Sequence, residues 1–134
     1  MTSLPSPIPE FLRAFRAHRV EGLEPFLHDD VVYRVEGFEP VLGRRAVLAY
    51  WRRMFDAHHV VRMSLERQVR DGDVVIAAQR QLYLATRRPP LLVDSLVVYE
   101  LEEERIRTWS DGVRIEDLSA EDAAVWKRLR TARW

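Results

Sequence analysis

Apolar residues recur along this chain in two rhythms, one of helices and one of strands. Phe11, Leu12, Ala14 and Phe15 fall at helical spacing behind Pro7 and Pro9, which suit a helix entry. A second short helix is expected over residues 20–27, broken by His28-Asp29-Asp30. The β-branched and aromatic run 31–35 reads as a strand, and 37–43, with Pro40, as a loop. In 44–57, Val47, Leu48, Trp51, Met54 and Phe55 make one apolar stripe, the mark of an amphipathic helix. Strands then follow over 60–70, 74–86, 91–101 and 105–112. Asp71-Gly72-Asp73, Arg87-Arg88-Pro89-Pro90 and Glu102-Glu103-Glu104 connect them. Ser119-Ala120-Glu121-Asp122 has capping-box form and opens a last helix ending near Arg130.

Helix, helix, strand, helix and a meander of long strands make an α+β arrangement, in which the sheet buries one face on the helices. If that sheet curls, it forms a cone with an internal pocket. The 134 residues suit one domain spanning 1–134. Basic and acidic residues balance at 21 each, which argues against a surface built for nucleic acid or anionic membrane. There is no long apolar run, no signal-peptide pattern and no cysteine. Disulfides, thiolate metal sites and a Cys nucleophile are thereby excluded, and a cytoplasmic location is expected. The only lysine, Lys127, lies on the polar last helix, so Schiff-base chemistry is not expected.

Asp94 interrupts the most apolar strand, and Asp111 closes the last one. Carboxylates are seldom buried without a partner, and a desolvated acid with a raised pKa can move protons near neutral pH. Alternation groups Asp94 with Leu96 and Val98 against Val93, Val97 and Tyr99. Both sets are apolar; Asp94 is expected in the pocket. Arg80 is expected to hold Asp111 ionised, and the Tyr33 hydroxyl to donate to a substrate oxygen. Glu36 is a candidate at the cavity mouth, while Glu66 shares a face with Arg62 and Ser64 that reads as wet. His18, His28, His58 and His59 have no zinc spacing, and neither a phosphate-cradling glycine loop nor a nucleophile elbow is present, so no metal is expected.

Three stretches carry a family resemblance: Pro25-Phe26-Leu27-His28-Asp29-Asp30 after the opening helix, Gly43-Arg44-Arg45-Ala46-Val47, and Ile106-Arg107-Thr108-Trp109-Ser110-Asp111. In this order they resemble the SnoaL-like branch of the nuclear-transport-factor-like cone fold, which includes polyketide cyclases, limonene-epoxide hydrolase and ketosteroid isomerase. The epoxide-hydrolase pattern implies roles for Tyr33, Arg80 and Asp111, and this chain departs from it at Val35 and Leu82. The isomerase pattern implies that Asp94 is a protonated donor, with Phe11 in place of a tyrosine and Val35 or Glu36 at the base position. The resemblance implies a cofactor-independent acid–base enzyme acting on an apolar, oxygenated small molecule, as a polyketide-type or epoxide-opening cyclase. A ketosteroid-isomerase-like proton shift and a non-catalytic binding or dimerisation module are the alternatives. Phe11, Phe15, Val35, Trp51, Phe55, Leu82, Leu96 and Trp109 are expected to wall the pocket. A homodimer is expected through Val93, Val97 and Tyr99, should these face outward.

Overall fold

The computed structural model describes residues 5–113 and 115–131. Helix α1 (Ile8–Ala14) enters on Pro7 and Pro9 and continues into a 3-10 turn at Phe15–Ala17. The second helix expected over 20–27 is instead two 3-10 turns, Val20–Gly22 and Glu24–Phe26. Pro25 within this short stretch removes a backbone donor, which explains why no regular helix forms. His28-Asp29-Asp30 does not break a helix. It belongs to strand β1 (Leu27–Val35). Strand β2 (Val41–Leu42) lies within the expected 37–43 loop, and helix α2 (Arg44–Ala57) buries Val47, Trp51, Met54 and Phe55.

The meander follows as β3 (Val60–Asp71), β4 (Val74–Leu84), β5 (Leu91–Glu102) and β6 (Arg105–Gly112). The six-stranded sheet has the order β2-β1-β6-β5-β4-β3. All pairings are antiparallel except β1 with β6, which run parallel. The register of β3 on β4 shifts between Leu65 and Arg67, a bulge that bends the edge of the sheet. Helix α3 (Ala120–Thr131) completes the described chain, with Ser119 Oγ accepting the Asp122 N–H at 3.0 Å as its cap.

The curved sheet has two chemically distinct faces. On β4 and β5 the odd-numbered residues are buried, and their even-numbered neighbours face outward with partial or full exposure. The inner face packs on α1 and α2 through an aromatic cluster, in which Trp51 stacks on Trp109 at 5.6 Å and 7°. Phe11 and Phe15 meet Trp109 edge-on. Val93, Val97 and Tyr99 are fully buried in this core and cannot form the dimer surface expected of them.

Candidate functional site

Period-two alternation decides where each candidate side chain goes. Arg80 and Asp94 are even-numbered and directly opposite each other on β4 and β5, so both stand on the outer face. Arg80 Nε donates to Asp94 Oδ1 at 2.9 Å, and Glu66 lies 3.5 Å from the same nitrogen. The Asp94 side chain is 73% exposed. The desolvation that a proton-donor role requires is absent, and Arg80 has no part in holding Asp111. Leu82 and Leu96 share this outer face, Leu96 being 56% exposed, and do not wall an interior. Glu36 is exposed just beyond β1, beside an outer groove of about 510 Å³, and only its backbone N–H reaches Asp111, donating to the main-chain oxygen.

Asp111 does enter the interior. It pairs with Val35 across the β1–β6 ladder, and its side chain is 3% exposed. Asp111 Oδ2 accepts from Gln81 Nε2 at 2.8 Å, and the same amide reaches Ser95 Oγ at 3.0 Å. Gly112 behind it is required: a Cβ there would sit 2.8 Å from the Leu96 carbonyl oxygen. Tyr33 is also inside, 1% exposed, with its ring on Trp109. Of the expected pocket walls, Phe11, Phe15, Val35, Trp51, Phe55 and Trp109 all face inward.

The group that organises these residues is one the sequence reading passed over. Arg130, on α3, extends its guanidinium into the interior with 1% side-chain exposure. Nη1 donates to the hydroxyls of Tyr33 at 2.9 Å and Tyr50 at 2.5 Å. Nη2 donates to Tyr83 at 3.2 Å and Gln81 Oε1 at 3.3 Å, and stands 3.7 Å from Asp111 Oδ2. The Tyr83 hydroxyl donates in turn to Gln81 Oε1 at 2.5 Å. The signal was present in the sequence: Arg130 falls four residues after Trp126 and one after Leu129, on the stripe that α3 buries. Gln79 and Gln81 gave a similar signal, as polar residues in the set of β4 otherwise formed by Val75, Ala77 and Tyr83.

Electrostatics follow from this burial. Desolvation raises the Asp111 carboxyl above its ordinary value, against the pull of Arg130, Gln81 and Ser95. Burial likewise pushes the Tyr33 and Tyr83 phenols up, so both remain neutral donors. Of the buried side-chain atoms with no hydrogen-bond partner among the described residues, four lie in this cluster: Asp111 Oδ1, an acceptor, and Trp51 Nε1, Trp126 Nε1 and Arg130 Nε, all donors. Such atoms in a buried cluster call for an explanation, and a bound oxygen is one. Chemically, the set brings together a proton acceptor, neutral phenols and a buried cation. No group of His, Asp and Glu suited to a metal occurs among the described residues.

The model of the SnoaL-like domain family matches residues 8–109. No curated protein matches the chain. Solved structures with similar folds include a LEH-like epoxide hydrolase of M. tuberculosis, 22% identical with a TM-score of 0.77, covering 91% of this chain and 90% of that one. A hypothetical protein of Catenulispora acidiphila with a ketosteroid isomerase-like fold, in complex with trimethylamine, is 16% identical with a TM-score of 0.78. It covers 90% of this chain and 94% of its own. The epoxide hydrolase/cyclase-like enzyme SalBIII, from pyran ring formation in salinomycin, is 18% identical with a TM-score of 0.73, over 82% of this chain and 89% of that one. No described helix is long and apolar enough to cross a membrane.

Proposed function

For this chain, which belongs to the SnoaL-like domain family, we propose a cytoplasmic, cofactor-independent acid–base enzyme acting on an oxygenated natural-product intermediate. Epoxide-opening or polyketide-type cyclisation is the favoured step. The observation that carries this reading is Asp111: a fully buried carboxyl, raised by desolvation, with one oxygen unpartnered beside phenol donors. A carboxyl raised by desolvation is a stronger base than a solvated one and can take a proton from the substrate, while the neutral Tyr33 hydroxyl can supply a hydrogen bond to a developing oxyanion. The inner face of β4 carries the amides Gln79 and Gln81 rather than Arg80, and Arg130 brings a cation from α3. In turnover of a panel of epoxides and enones, Asp111→Asn is expected to lower kcat by roughly a hundred- to ten-thousand-fold. Its circular dichroism should stay native. Full activity in that variant would remove Asp111 from the mechanism.

A second reading has its own observation. Asp111 is the only buried carboxyl among the described residues, so the site holds no second acid to donate a proton, and it can serve as a ligand-binding module. The substrate panel separates the two: saturable binding without turnover selects the module. For self-association we propose the outer face, where Ile76, Leu92 and Leu96 are exposed among the complementary charges of Arg80 and Asp94. A dimer by light scattering that Leu96→Glu returns to monomer is the expected result, and a wild-type monomer at micromolar concentration would discard it.

A further inference from the structure

A buried guanidinium needs more explanation than a buried leucine. Removing such an ion from water costs several kcal/mol even after the protein relaxes, and an apolar side chain would close the same space without that cost. Here the surroundings are complementary to a cation. The guanidinium carbon of Arg130 lies 5.9 Å from the Tyr33 ring centroid, 5.8 Å from Tyr50, 5.8 Å from Trp51, 5.9 Å from Tyr83 and 4.1 Å from Trp126. Ring faces attract cations at about these separations. The near counter-charge is Asp111, 3.7 Å away.

Four of the five rings do not belong to α3. Tyr33 is held by β1, Tyr50 and Trp51 by α2, and Tyr83 by β4, and Tyr33 packs directly on Trp51 and Trp109. These rings and Asp111 form a cage fixed by the sheet and α2. Polar atoms are left buried without a partner among the described residues on both sides of this contact: Trp126 Nε1 and Arg130 Nε on the helix, Trp51 Nε1 and Asp111 Oδ1 on the cage. We propose that Tyr33, Tyr50, Trp51 and Tyr83, with Asp111 at their floor, form a binding site for a small organic cation. Its class is an alkylated ammonium or guanidinium group, and Arg130 is a tethered occupant that leaves with α3 when the ligand enters. The inference rests on the reading that Asp111 marks the functional site, and it gives the substrate or effector a positively charged nitrogen. Displacing Arg130 forfeits its contacts with the three phenols and Asp111, so an external cation binds the wild type weakly and saturably.

The test is calorimetric titration of the full-length protein with tetramethylammonium and methylguanidinium, and with neutral methylurea as control. Wild type is expected to bind both cations and not methylurea. Arg130→Ala should bind them about tenfold or more tightly, because the internal competitor is gone. Asp111→Asn should weaken them by about tenfold or more, the loss of the floor charge. Absence of cation binding to wild type overturns the proposal. So does equal affinity in wild type and Arg130→Ala, which would locate binding elsewhere, and so does equal response to methylurea. If Arg130→Ala does not fold, wild type against Asp111→Asn decides the question alone, an unchanged affinity overturning the proposal. The acid–base reading stands or falls separately, on turnover by Asp111→Asn: cation binding can fail while that turnover is lost, and the reverse.

Discussion

Two arginine–aspartate pairs lie on opposite faces of one sheet, and the better-formed one matters less. Arg80 and Asp94 meet at 2.9 Å with side chains 45% and 73% exposed. Arg130 and Asp111 stand 3.7 Å apart with side chains 1% and 3% exposed. In water the short pair gains little, because both ions are already solvated and ordering them costs side-chain entropy. In the interior each ion depends on its partners, and losing one strands the others. Distance alone ranks these pairs in the wrong order; burial ranks them correctly.

Breaking the inner pair is expected to have the largest effect. Arg130→Met should cost about 3–5 kcal/mol in urea unfolding, since Asp111 loses its counter-charge and three phenols lose a donor. Pairing it with Asp111→Leu should recover most of that loss, because replacing both ions by apolar groups removes the stranded charge. A smaller effect comes from pH. The folded value of Asp111 lies above its unfolded value, so the native state holds this proton more tightly. The resulting stability is fully present below the unfolded carboxyl range of about 3.9 and is lost as pH rises through the folded value. Thermal melts of wild type and Asp111→Asn across this range should therefore diverge, the wild type falling relative to the variant as pH rises. Parallel curves would mean that Asp111 is not desolvated in solution. The smallest effect is on the outer face, where Arg80→Ala or Asp94→Ala should change stability by at most about 1 kcal/mol. A larger loss there would contradict the contrast between the faces.

Much of the fold was legible because its signals are periodic. The stripe of α2 marked its limits, and the meander showed itself by alternation and turn residues. The stretch 20–27 was misread because its apolar spacing also fits 3-10 turns, and His28-Asp29-Asp30 looks like a breaker until β1 pairs with β6. The site was half legible. Asp111 and Tyr33 lie on strands whose inner residues are apolar, whereas Asp94 lies on a strand apolar on both faces. There a one-residue choice of phase sends a side chain to the opposite side of the sheet. The polar residues 79–81 of β4 held the answer, for Arg80 shares the phase of Asp94 and the amides Gln79 and Gln81 do not. Arg130 was hidden by composition, as one arginine among many on a helix rich in charge.

The parallel pairing of β1 with β6 sets an order of assembly. Tyr33 aligns with Trp109 and Val35 with Asp111, so strands from opposite ends of the sequence must meet. The hairpins β3–β4, β4–β5 and β5–β6 close over short loops and can form early. The β1–β6 contact must first overcome the closure entropy of the whole intervening chain. Asp111 therefore stays hydrated while the meander takes shape, and acquires its unusual proton affinity only when the amino-terminal strand docks. On a ribosome that docking waits until β6 has emerged, which makes the ionisation of one carboxyl a marker of the sheet's closure.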